Sequence, residues 1–485
     1  MSNFVALLTT SLLMADLVDF IVSNEEWGFP ADFVNRTRAL MGDAECEALC
    51  KALAVTAPIS IRVNAAKVFD APHGSRTVPW ADGGFYLSSR PAFTFDPLFH
   101  AGCYYVQEAS SMFLTQVIGQ YVKEPALMLD LCAAPGGKST LARSVLPNGS
   151  LLVANEVVRS RANVLAENLI KWGHDGVVVT NNDAADFARL GCIFDVVLAD
   201  VPCSGEGMFR KDEGARKEWS EENVNLCWQR QRRIVGDIWS CLKPGGLLVY
   251  STCTFNREEN EDNVEWIANE LGAEVLPLSI CDEWCITGNM AGKGFPVFRF
   301  LPHKSEGEGL FMAVLRKLPG ATSSNHGVRR YGKRDKQVAV FPKELKGWIR
   351  QAEGFEFSVD NGVATAFRKS WNVVFQQIRA SLRVVHAGIT LGEMRGREWQ
   401  PAHCLAMSVM LEQKVFASQE LSLDEAIAYL RHEAIVLNPS APRGYVLLTY
   451  KGHPLGFAKN VGNRANNLYP NEWRIRSVQR QTATA

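Results

Sequence analysis

The segment from Tyr104 to Lys317 alternates short apolar runs with stretches of helical character, and this alternation constrains the fold more than any other feature of the chain. Seven apolar runs are candidate strands: 126–131, 151–156, 177–182, 194–200, 246–252, 297–301 and 310–316. Strands that are apolar throughout and separated by helices are typical of a mostly parallel sheet covered on both faces. We therefore expect an α/β fold with a doubly wound, mostly parallel, seven-stranded Rossmann-like sheet, whose last two strands form an antiparallel hairpin.

The regions on either side of this segment predict further domains. Apolar residues recur at helical spacing over 31–53, with Asp43 as a possible cap, and 59–64 is typical of a strand. Short strands with Gly and Pro turns near the C-terminus, at 383–394 and 444–461, indicate a small β-barrel. We divide the chain into a helical extension (1–28), a small α+β domain (29–103), the sheet domain (104–317), a basic linker with a middle domain (318–380) and the barrel (381–485).

Charge is spread unevenly along the chain. The formal net charge is −1, but the segment 316–350 carries +8 and the segment 459–485 carries +4, so the remainder carries −13. Local basic zones on an acidic body favour a phosphate-binding surface. The alternative is solvated charge on a linker and a tail.

The cysteines and the N-terminus indicate the compartment. The start of the chain lacks a basic secretory region, and acidic residues interrupt its apolar run, so we expect neither a signal peptide nor a membrane span. Twelve cysteines in a chain of this length favour reduced thiols in the cytoplasm. The pairs Cys46/Cys50 and Cys281/Cys285 lack complementary metal ligands, so we interpret them as buried thiols on helices and expect no metal.

A glycine-rich motif follows the first strand of the sheet. The sequence LDLCAAPGGKST (129–140) leads from a strand through a turn into a helix, and Gly136 and Gly137 allow a ligand to approach the backbone. It is not a nucleotide-triphosphate loop, because Cys132 stands where that motif requires glycine. Acids end the next two strands: Glu156 is placed to bind ribose hydroxyls and Asp183 an adenine amino group. This set suits S-adenosylmethionine, although any one acid could instead cap a loop.

Two thiols stand at later strand ends, in Asp200-Val201-Pro202-Cys203 and Ser251-Thr252-Cys253-Thr254. Cytosine C5 is a poor nucleophile, but a thiolate that adds to C6 makes C5 able to take a methyl group. The C5 proton must then leave and the thiol must be eliminated. Two cysteines and Asp200 supply the groups for such chemistry. The residues alone do not decide which thiol attacks.

Four segments carry a specific resemblance: LDLCAAPGGKST, DVPCSGEGMFRKD (200–212), YSTCTFNREENEDNV (250–264) and YVQEASSM (105–112). Over roughly residues 30–317 the chain resembles RNA cytosine-5 methyltransferases of the NOL/NOP/Sun family. The segment 453–470 is similar to the end of a PUA-type RNA-binding module, although NRANNLYP replaces the basic run usual there. The resemblance implies a methyltransferase sheet, a small N-terminal RNA-binding domain and a PUA-like β-barrel.

The resemblance also implies residue roles. Cys253 would be the nucleophile, Cys203 would assist release, and Asp200 would hold the N3/amino edge of cytosine near the methionine end of the cofactor. The residues implied to bind S-adenosylmethionine are Cys132, Ala133, Ala134, Pro135, Gly136, Gly137, Lys138, Glu156, Asp183 and Asp200.

The implied substrate is RNA, with 16S rRNA in the decoding region of the small ribosomal subunit as the first candidate. The basic segments and the C-terminal barrel would hold phosphates away from the reacting base. The alternatives are a tRNA cytosine-5 methyltransferase and a non-catalytic RNA-binding factor for ribosome assembly. We expect a cytoplasmic monomer.

Overall fold

The computed structural model describes residues 27–67, 70, 72–320 and 341–477. These residues divide into two compact units, of which the first comprises 27–58, 200–236 and 249–320, and the second comprises the rest. The predicted helical extension, apart from its last two residues, and the greater part of the predicted basic linker lie outside the described residues. In the part of the chain that the structure describes, no helix combines the length and the apolar character that crossing a membrane requires.

The α-helices are α1 (Ala31–Met41), α2 (Asp43–Ala54), α3 (Pro97–His100), α4 (Leu114–Tyr121), α5 (Gly137–Val145), α6 (Arg159–Trp172), α7 (Glu213–Glu218), α8 (Glu221–Trp239), α9 (Glu261–Glu270), α10 (Lys343–Lys346), α11 (Asn372–Ser381), α12 (His403–Met407) and α13 (Leu423–Leu430). The strands are β1 (Ile59–Val63), β2 (Arg76–Thr77), β3 (Gly84–Leu87), β4 (Tyr104–Val106), β5 (Leu127–Asp130), β6 (Leu151–Asn155), β7 (Val177–Thr180), β8 (Phe194–Asp200), β9 (Leu242–Thr252), β10 (Ala273–Leu276), β11 (Phe298–Phe300), β12 (Leu310–Lys317), β13 (Phe355–Asp360), β14 (Val363–Arg368), β15 (Val384–Ala387), β16 (Ile389–Arg395), β17 (Glu398–Pro401), β18 (Ala417–Glu420), β19 (Gly444–Tyr450), β20 (His453–Asn460) and β21 (Ala465–Asn467).

The predicted α/β sheet is confirmed. In the second unit, which holds β8 up to Ala199 and β9 up to Leu248, the strand order is β9-β8-β5-β6-β7-β15, and β5 is parallel to both β6 and β8. Every residue of β5, β6 and β7 is buried, which explains why these strands are apolar throughout. Helix α6 buries Ala162, Leu165 and Leu169, which recur at helical spacing. Leu165 and Leu169 belong to one core cluster with residues of β6 and β7.

The sheet contains more strands than the seven predicted. In the first unit β12 pairs with β11 in the antiparallel hairpin that was predicted, but it also pairs with β10. In the second unit β15 is antiparallel to β7. The strand predicted at 383–394 is therefore two strands, of which β15 joins the central sheet and β16 pairs with β14 and β17. A short strand that pairs with residues two hundred positions away leaves no local pattern by which to assign its sheet.

The first unit has its own aromatic core beneath the loop that follows β8. Phe33 of α1 makes edge-to-face contacts with Phe209, at 5.0 Å between ring centroids, and with Trp219, at 5.8 Å. Helices α1 and α2 are separated at Gly42, so the helical spacing predicted over 31–53 belongs to two helices, and Gly42 is the residue that precedes the second helix. Asp43 does not cap it but begins α2, and its carboxylate lies 2.9 Å from Nε of Arg38.

Three further sheets complete the second unit. Their strand orders are β2-β3-β1-β4, β13-β14-β16-β17 and β18-β19-β20-β21. The first and the last share a hydrophobic cluster that includes Ile61 and Tyr104 from one sheet and Leu448 and Leu455 from the other. The predicted burial of the paired cysteines holds for Cys46 and Cys50 on α2 but is wrong for Cys281 and Cys285, which are exposed beside a short 3-10 turn.

Candidate active site

The two thiols lie close together in the first unit, where two strands end. Cys203 lies in the first thiol loop (201–212), which follows β8, and Cys253 begins the second thiol loop (253–260), which follows β9. Their Sγ atoms are 3.1 Å apart, and the backbone N–H of Cys253 donates to Sγ of Cys203 at 3.4 Å. Both side chains are half-buried. The structure therefore brings together the two cysteines that the sequence places fifty residues apart.

The pKa of Cys203 is raised well above its ordinary value. The hydrogen bond with Cys253 is the largest cause, and burial is the next. Because the raised pKa keeps a proton on Cys203 at neutral pH, this sulfur can donate a hydrogen bond to its neighbour. Either sulfur can be the donor in this pair, so the contact alone leaves their roles open.

Asp200 is the last residue of β8 and lies beside the end of β9. Its carboxylate accepts the hydroxyl of Ser251 at 2.7 Å, and its side chain is half-buried. A carboxylate at this position can accept hydrogen bonds from donors such as an exocyclic amino group. The structure thus places Asp200 in the same unit as both thiols.

Two buried carboxylates that the sequence analysis did not single out lie behind the thiols. Glu259, in the second thiol loop, accepts the backbone N–H of Ser204 at 3.0 Å, Nε2 of Gln231 at 2.6 Å and Nδ2 of Asn256 at 2.8 Å. Burial, followed by the charge of Glu206, raises the pKa of Glu259 to about 7. A sequence signal exists in hindsight, since both acids lie within a few residues of a cysteine in loops between apolar strands.

Glu206 belongs to the first thiol loop. Its Oε2 accepts the backbone N–H groups of Phe255 at 2.6 Å and Asn256 at 3.0 Å. Its Oε1 accepts Nε1 of Trp219 at 3.2 Å and Nδ2 of Asn256 at 3.0 Å. Such a set of donors satisfies a buried carboxylate in its ionised form.

The glycine-rich motif lies in the second unit and forms a tight turn between β5 and α5. Gly136 has a φ of +115°, a conformation that favours glycine, and α5 begins at the next residue. The turn is supported from α6, where Arg161 donates to the carbonyl of Ala134 and Asn168 to that of Pro135, both at 2.8 Å. Ala133, Ala134 and Gly136 are buried, Pro135 is exposed, and Cys132, Gly137 and Lys138 are half-buried.

Asn155 joins the ends of three strands in this unit. Its Nδ2 donates to the carbonyl of Leu131, after β5, at 3.1 Å and to that of Asn182, after β7, at 2.9 Å. The glycine-rich turn and the acids that follow β6 and β7 therefore lie at one edge of the sheet, as the sequence predicted.

Glu156 and Asp183 differ in their surroundings. Glu156 is buried, with one carboxylate oxygen accepting the N–H of Val158 at 3.0 Å and the other 3.4 Å from Arg161, which also holds the glycine-rich turn. Asp183 is half-buried and caps a 3-10 helix (Ala184–Leu190), where its carboxylate accepts the N–H of Ala185 at 3.1 Å.

These residues fit S-adenosylmethionine. A helix start preceded by a positive-φ glycine suits a carboxylate, because the first N–H groups of any helix have no partner within it and point along the helix axis toward such a ligand. Glu156, at the end of the next strand, has two carboxylate oxygens that can accept hydrogen bonds from the two hydroxyl groups of a ribose. Among the described residues, no group of three or more His, Cys, Asp or Glu side chains is placed to hold a metal ion.

Comparison with known proteins agrees with this arrangement. Residues 120–316 match the family model described as 16S rRNA methyltransferase RsmB/F, residues 416–475 match the RsmF PUA domain, and residues 29–109 match the N-terminal domain of 16S rRNA methyltransferase RsmF. The ribosomal RNA small subunit methyltransferase F of Klebsiella pneumoniae is 31% identical over 439 residues, covering 85% of this chain and 89% of that protein. That of Erwinia tasmaniensis is 30% identical, with 92% and 96% covered.

The chain belongs to the RsmB/F family of 16S rRNA methyltransferases. The resemblance drawn from the cysteine motifs is thereby confirmed, as are the PUA domain and S-adenosylmethionine as the cofactor. The chain is similar to methyltransferase F over most of its length, and the three matched models cover its N-terminal, central and C-terminal parts.

Two solved structures have a fold similar to that of this chain. A methyltransferase homolog protein from Pyrococcus horikoshii is 28% identical, with a TM-score of 0.54 over 62% of this chain and 99% of that one. NSun6 from the same organism, solved with SFG, is 21% identical and shares the fold, with a TM-score of 0.52 over 60% and 99%.

Proposed function

We propose that this RsmB/F family member methylates C5 of a cytosine in 16S rRNA, in the decoding region of the small ribosomal subunit, through a covalent bond between a cysteine and C6 of the ring. The observation that carries the proposal is the 3.1 Å separation of the Cys203 and Cys253 sulfurs. A single thiol at a strand end would be ordinary packing. Two in contact, at the ends of neighbouring strands, suit a reaction that must both form and break a bond to the base.

In this proposal Cys253 attacks. The family resemblance assigns the attack to this residue, and the sulfur of Cys203 lies close enough, at 3.1 Å, to exchange a proton with it. When Sγ of Cys253 bonds to C6, electron density moves into the ring and C5 becomes nucleophilic. Asp200 would hold the N3/amino edge of the cytosine by accepting a hydrogen bond from its amino group.

The cofactor residues are proposals of the same kind. S-adenosylmethionine supplies, when bound, a methyl group on a positively charged sulfur. The turn from Cys132 to Lys138 would hold its amino acid part, Glu156 its ribose hydroxyls and Asp183 its adenine. Support comes from the glycine-rich helix start and from Arg161, which contacts both the turn and Glu156.

Release completes the cycle. A base such as water takes the C5 proton, the electron pair of that C–H bond forms the C5=C6 double bond, and the bond between C6 and Sγ breaks with its electron pair returning to the sulfur of Cys253. Cys203 would assist by exchanging protons with the departing sulfur, which lies 3.1 Å away. We propose that the protein acts as a monomer and that the reaction takes place in the cytoplasm.

The relatives support the choice of RNA. They are named for the RNA of the small ribosomal subunit, and a PUA domain is matched at residues 416–475. A cytosine must leave its stack to reach buried sulfurs, and RNA loops allow this at the least energetic cost.

The test compares three substrates under identical conditions: small ribosomal subunits, protein-free 16S rRNA and total tRNA. After incubation with S-adenosylmethionine, bisulfite sequencing locates new 5-methylcytosine. We expect a modified position in 16S rRNA. The comparison of subunits with free RNA shows which of the two is the better substrate. Methylation confined to tRNA would overturn the choice of target, and modification of a base other than cytosine would overturn the chemistry. Matched reactions with Cys253→Ala control for contaminating activity.

A further inference from the structure

Glu206 connects the first thiol loop to the second. This residue belongs to the first thiol loop, yet its carboxylate accepts the backbone N–H groups of Phe255 and Asn256 in the second, at 2.6 and 3.0 Å. Backbone donors fix the main chain itself rather than one side chain. A short bond from a carboxylate to the N–H two residues beyond Cys253 therefore restrains the position of that cysteine's backbone.

The loops are joined in the opposite direction by Glu259. It belongs to the second thiol loop, and its carboxylate accepts the N–H of Ser204, the residue that follows Cys203, at 3.0 Å. Gln231 donates to the same oxygen at 2.6 Å. The Gln231 amide is itself oriented, because its carbonyl oxygen accepts the hydroxyl of Tyr250 at 3.1 Å. Each loop thus carries a carboxylate that holds the main chain of the other.

Burying two carboxylates costs free energy, so packing alone does not explain this arrangement. Glu206 is 2% exposed and Glu259 is 0% exposed. Burial, followed by the charge of Glu206, raises the pKa of Glu259. Apolar side chains would stabilise two loops as well or better, whereas charged groups with several donors impose a specific geometry.

We propose that Glu206 and Glu259 are positioning residues, each holding the opposite thiol loop so that the sulfurs of Cys203 and Cys253 stay within contact distance. The inference rests on the proposed function for its catalytic meaning. The sulfur separation itself can be measured without RNA or cofactor, so the two can fail independently.

The test uses diamide, an azo oxidant, on the whole protein. When the two thiols react, each sulfur loses a proton and an electron, an S–S bond forms, and the azo group takes up both hydrogens to become a hydrazine. Peptide mass spectrometry then measures the rate at which Cys203 and Cys253 become linked. Bond formation requires a narrow range of separations, so we expect Glu206→Gln and Glu259→Gln to slow linkage by about tenfold or more.

Glu258→Gln is the matched control. Glu258 neighbours Glu259 in sequence, but its carboxylate faces outward and pairs with Arg36 at 2.8 Å. In Glu258→Gln, Cys203 and Cys253 should become linked at the same rate as in the parent protein. If both glutamine variants of the buried pair remain folded and link their thiols as fast as the parent protein, the proposal is overturned.

If the glutamine variants do not fold, a milder variant tests the positioning proposal. Trp219→Phe removes the Nε1–H that donates to Glu206 together with part of the indole ring, and keeps an aromatic ring beside Phe33. We expect slower linkage in the same direction, and an unchanged rate would overturn the proposal.

Kinetics separates positioning from general support of the fold. The folded glutamine variants should lose kcat while KM for RNA and the dissociation constant of S-adenosylmethionine remain parental. Equal losses in all three would indicate a merely structural role and overturn the proposal. If the parent protein methylates no cytosine while the linkage rates change as expected, the proposed function fails and the positioning of the sulfurs stands.

Discussion

The backbone N–H of Gly207 donates to the carbonyl oxygen of Cys253 at 2.7 Å. This bond brings the main chains of the two thiol loops into contact, next to the sulfurs. A Cβ added at Gly207 would lie 2.7 Å from the same oxygen and 3.3 Å from the carbonyl oxygen of Glu308. Since both neighbours are backbone atoms, a side chain fits only if one of the loops moves.

Gly207→Ala should therefore reduce catalysis without removing any functional group. A displacement of about 1 Å at a reacting group costs roughly a hundredfold in rate, so we expect kcat to fall by about ten- to a hundredfold. Steady-state methylation of the preferred RNA measures it. Gly236→Ala is the control, because the nearest atom to its added Cβ is 4.0 Å away in Trp266. A variant at Gly207 with parental kcat would show that the close approach has no catalytic importance.

Cys203→Ala should accumulate a covalent protein–RNA adduct, because addition by Cys253 proceeds while release stalls. Denaturing gel electrophoresis detects the adduct as a slow band that nuclease removes. Cys253→Ala should form no adduct and transfer no methyl group. Cys192→Ala, at an exposed cysteine outside the site, should resemble the parent. Adduct formation by Cys253→Ala but not by Cys203→Ala would reverse the assigned roles.

Glu156→Gln should weaken S-adenosylmethionine binding. The buried carboxylate offers two oxygens at the end of β6, and loss of charged hydrogen bonds of about 1.5–3 kcal/mol corresponds to a roughly ten- to hundredfold higher dissociation constant. Isothermal titration calorimetry measures it. Glu167→Gln, on α6 and paired with Lys171 at 2.6 Å, serves as the control. Unchanged affinity in Glu156→Gln would remove this acid from the binding site.

Arg299→Met should destabilise the protein strongly. Arg299 and Glu261 form a buried ion pair, with side chains 1% and 0% exposed and Nε of Arg299 2.7 Å from a carboxylate oxygen. Removing one partner leaves an unpaired buried charge, which costs about 3–5 kcal/mol. Urea unfolding measures the loss. Arg257→Met breaks the more exposed pair with Asp262 and should cost under about 1 kcal/mol. Comparable losses in the two variants would contradict this account.

Acid should destabilise the fold through His100. This buried residue has its Nε2 2.9 Å from the carbonyl oxygen of Thr94, and its Nδ1 has no hydrogen-bond partner among the described residues. Burial, reinforced by Lys171, lowers its pKa to about 3. An unfolded histidine takes up a proton near pH 6.5, so the unfolded state binds more protons between those values and stability falls as the pH falls.

The size of this effect can be measured by substitution. Between pH 7 and pH 5, a histidine that charges only when unfolded loses about 2 kcal/mol of stabilisation. His100→Gln should reduce the parental loss over this range by that amount in urea unfolding experiments. His73→Gln, at an exposed position, should leave the pH dependence unchanged. An equal loss in His100→Gln and the parent protein would contradict the prediction.

Prediction from sequence worked best where the signal was local. The fully buried strands β5 to β7 are apolar throughout, the glycine turn follows β5, and the two reactive cysteines follow β8 and β9. Such patterns fix the order of strands and helices and place the reactive residues at strand ends. The prediction of Asp43 as a cap is wrong, because Gly42, which has a positive φ, precedes α2 and Asp43 is the first residue of that helix.

What the sequence by itself determined was the chemistry available: two thiols, an acid and a glycine-rich helix start, each in a recognisable local setting. The tertiary structure decided which groups meet. The contact between the sulfurs of Cys203 and Cys253, and the carboxylates of Glu206 and Glu259 that hold the opposite loops, join residues about fifty positions apart. Such contacts depend on how strands pair and loops pack, and these are long-range choices that leave no periodic pattern in the chain.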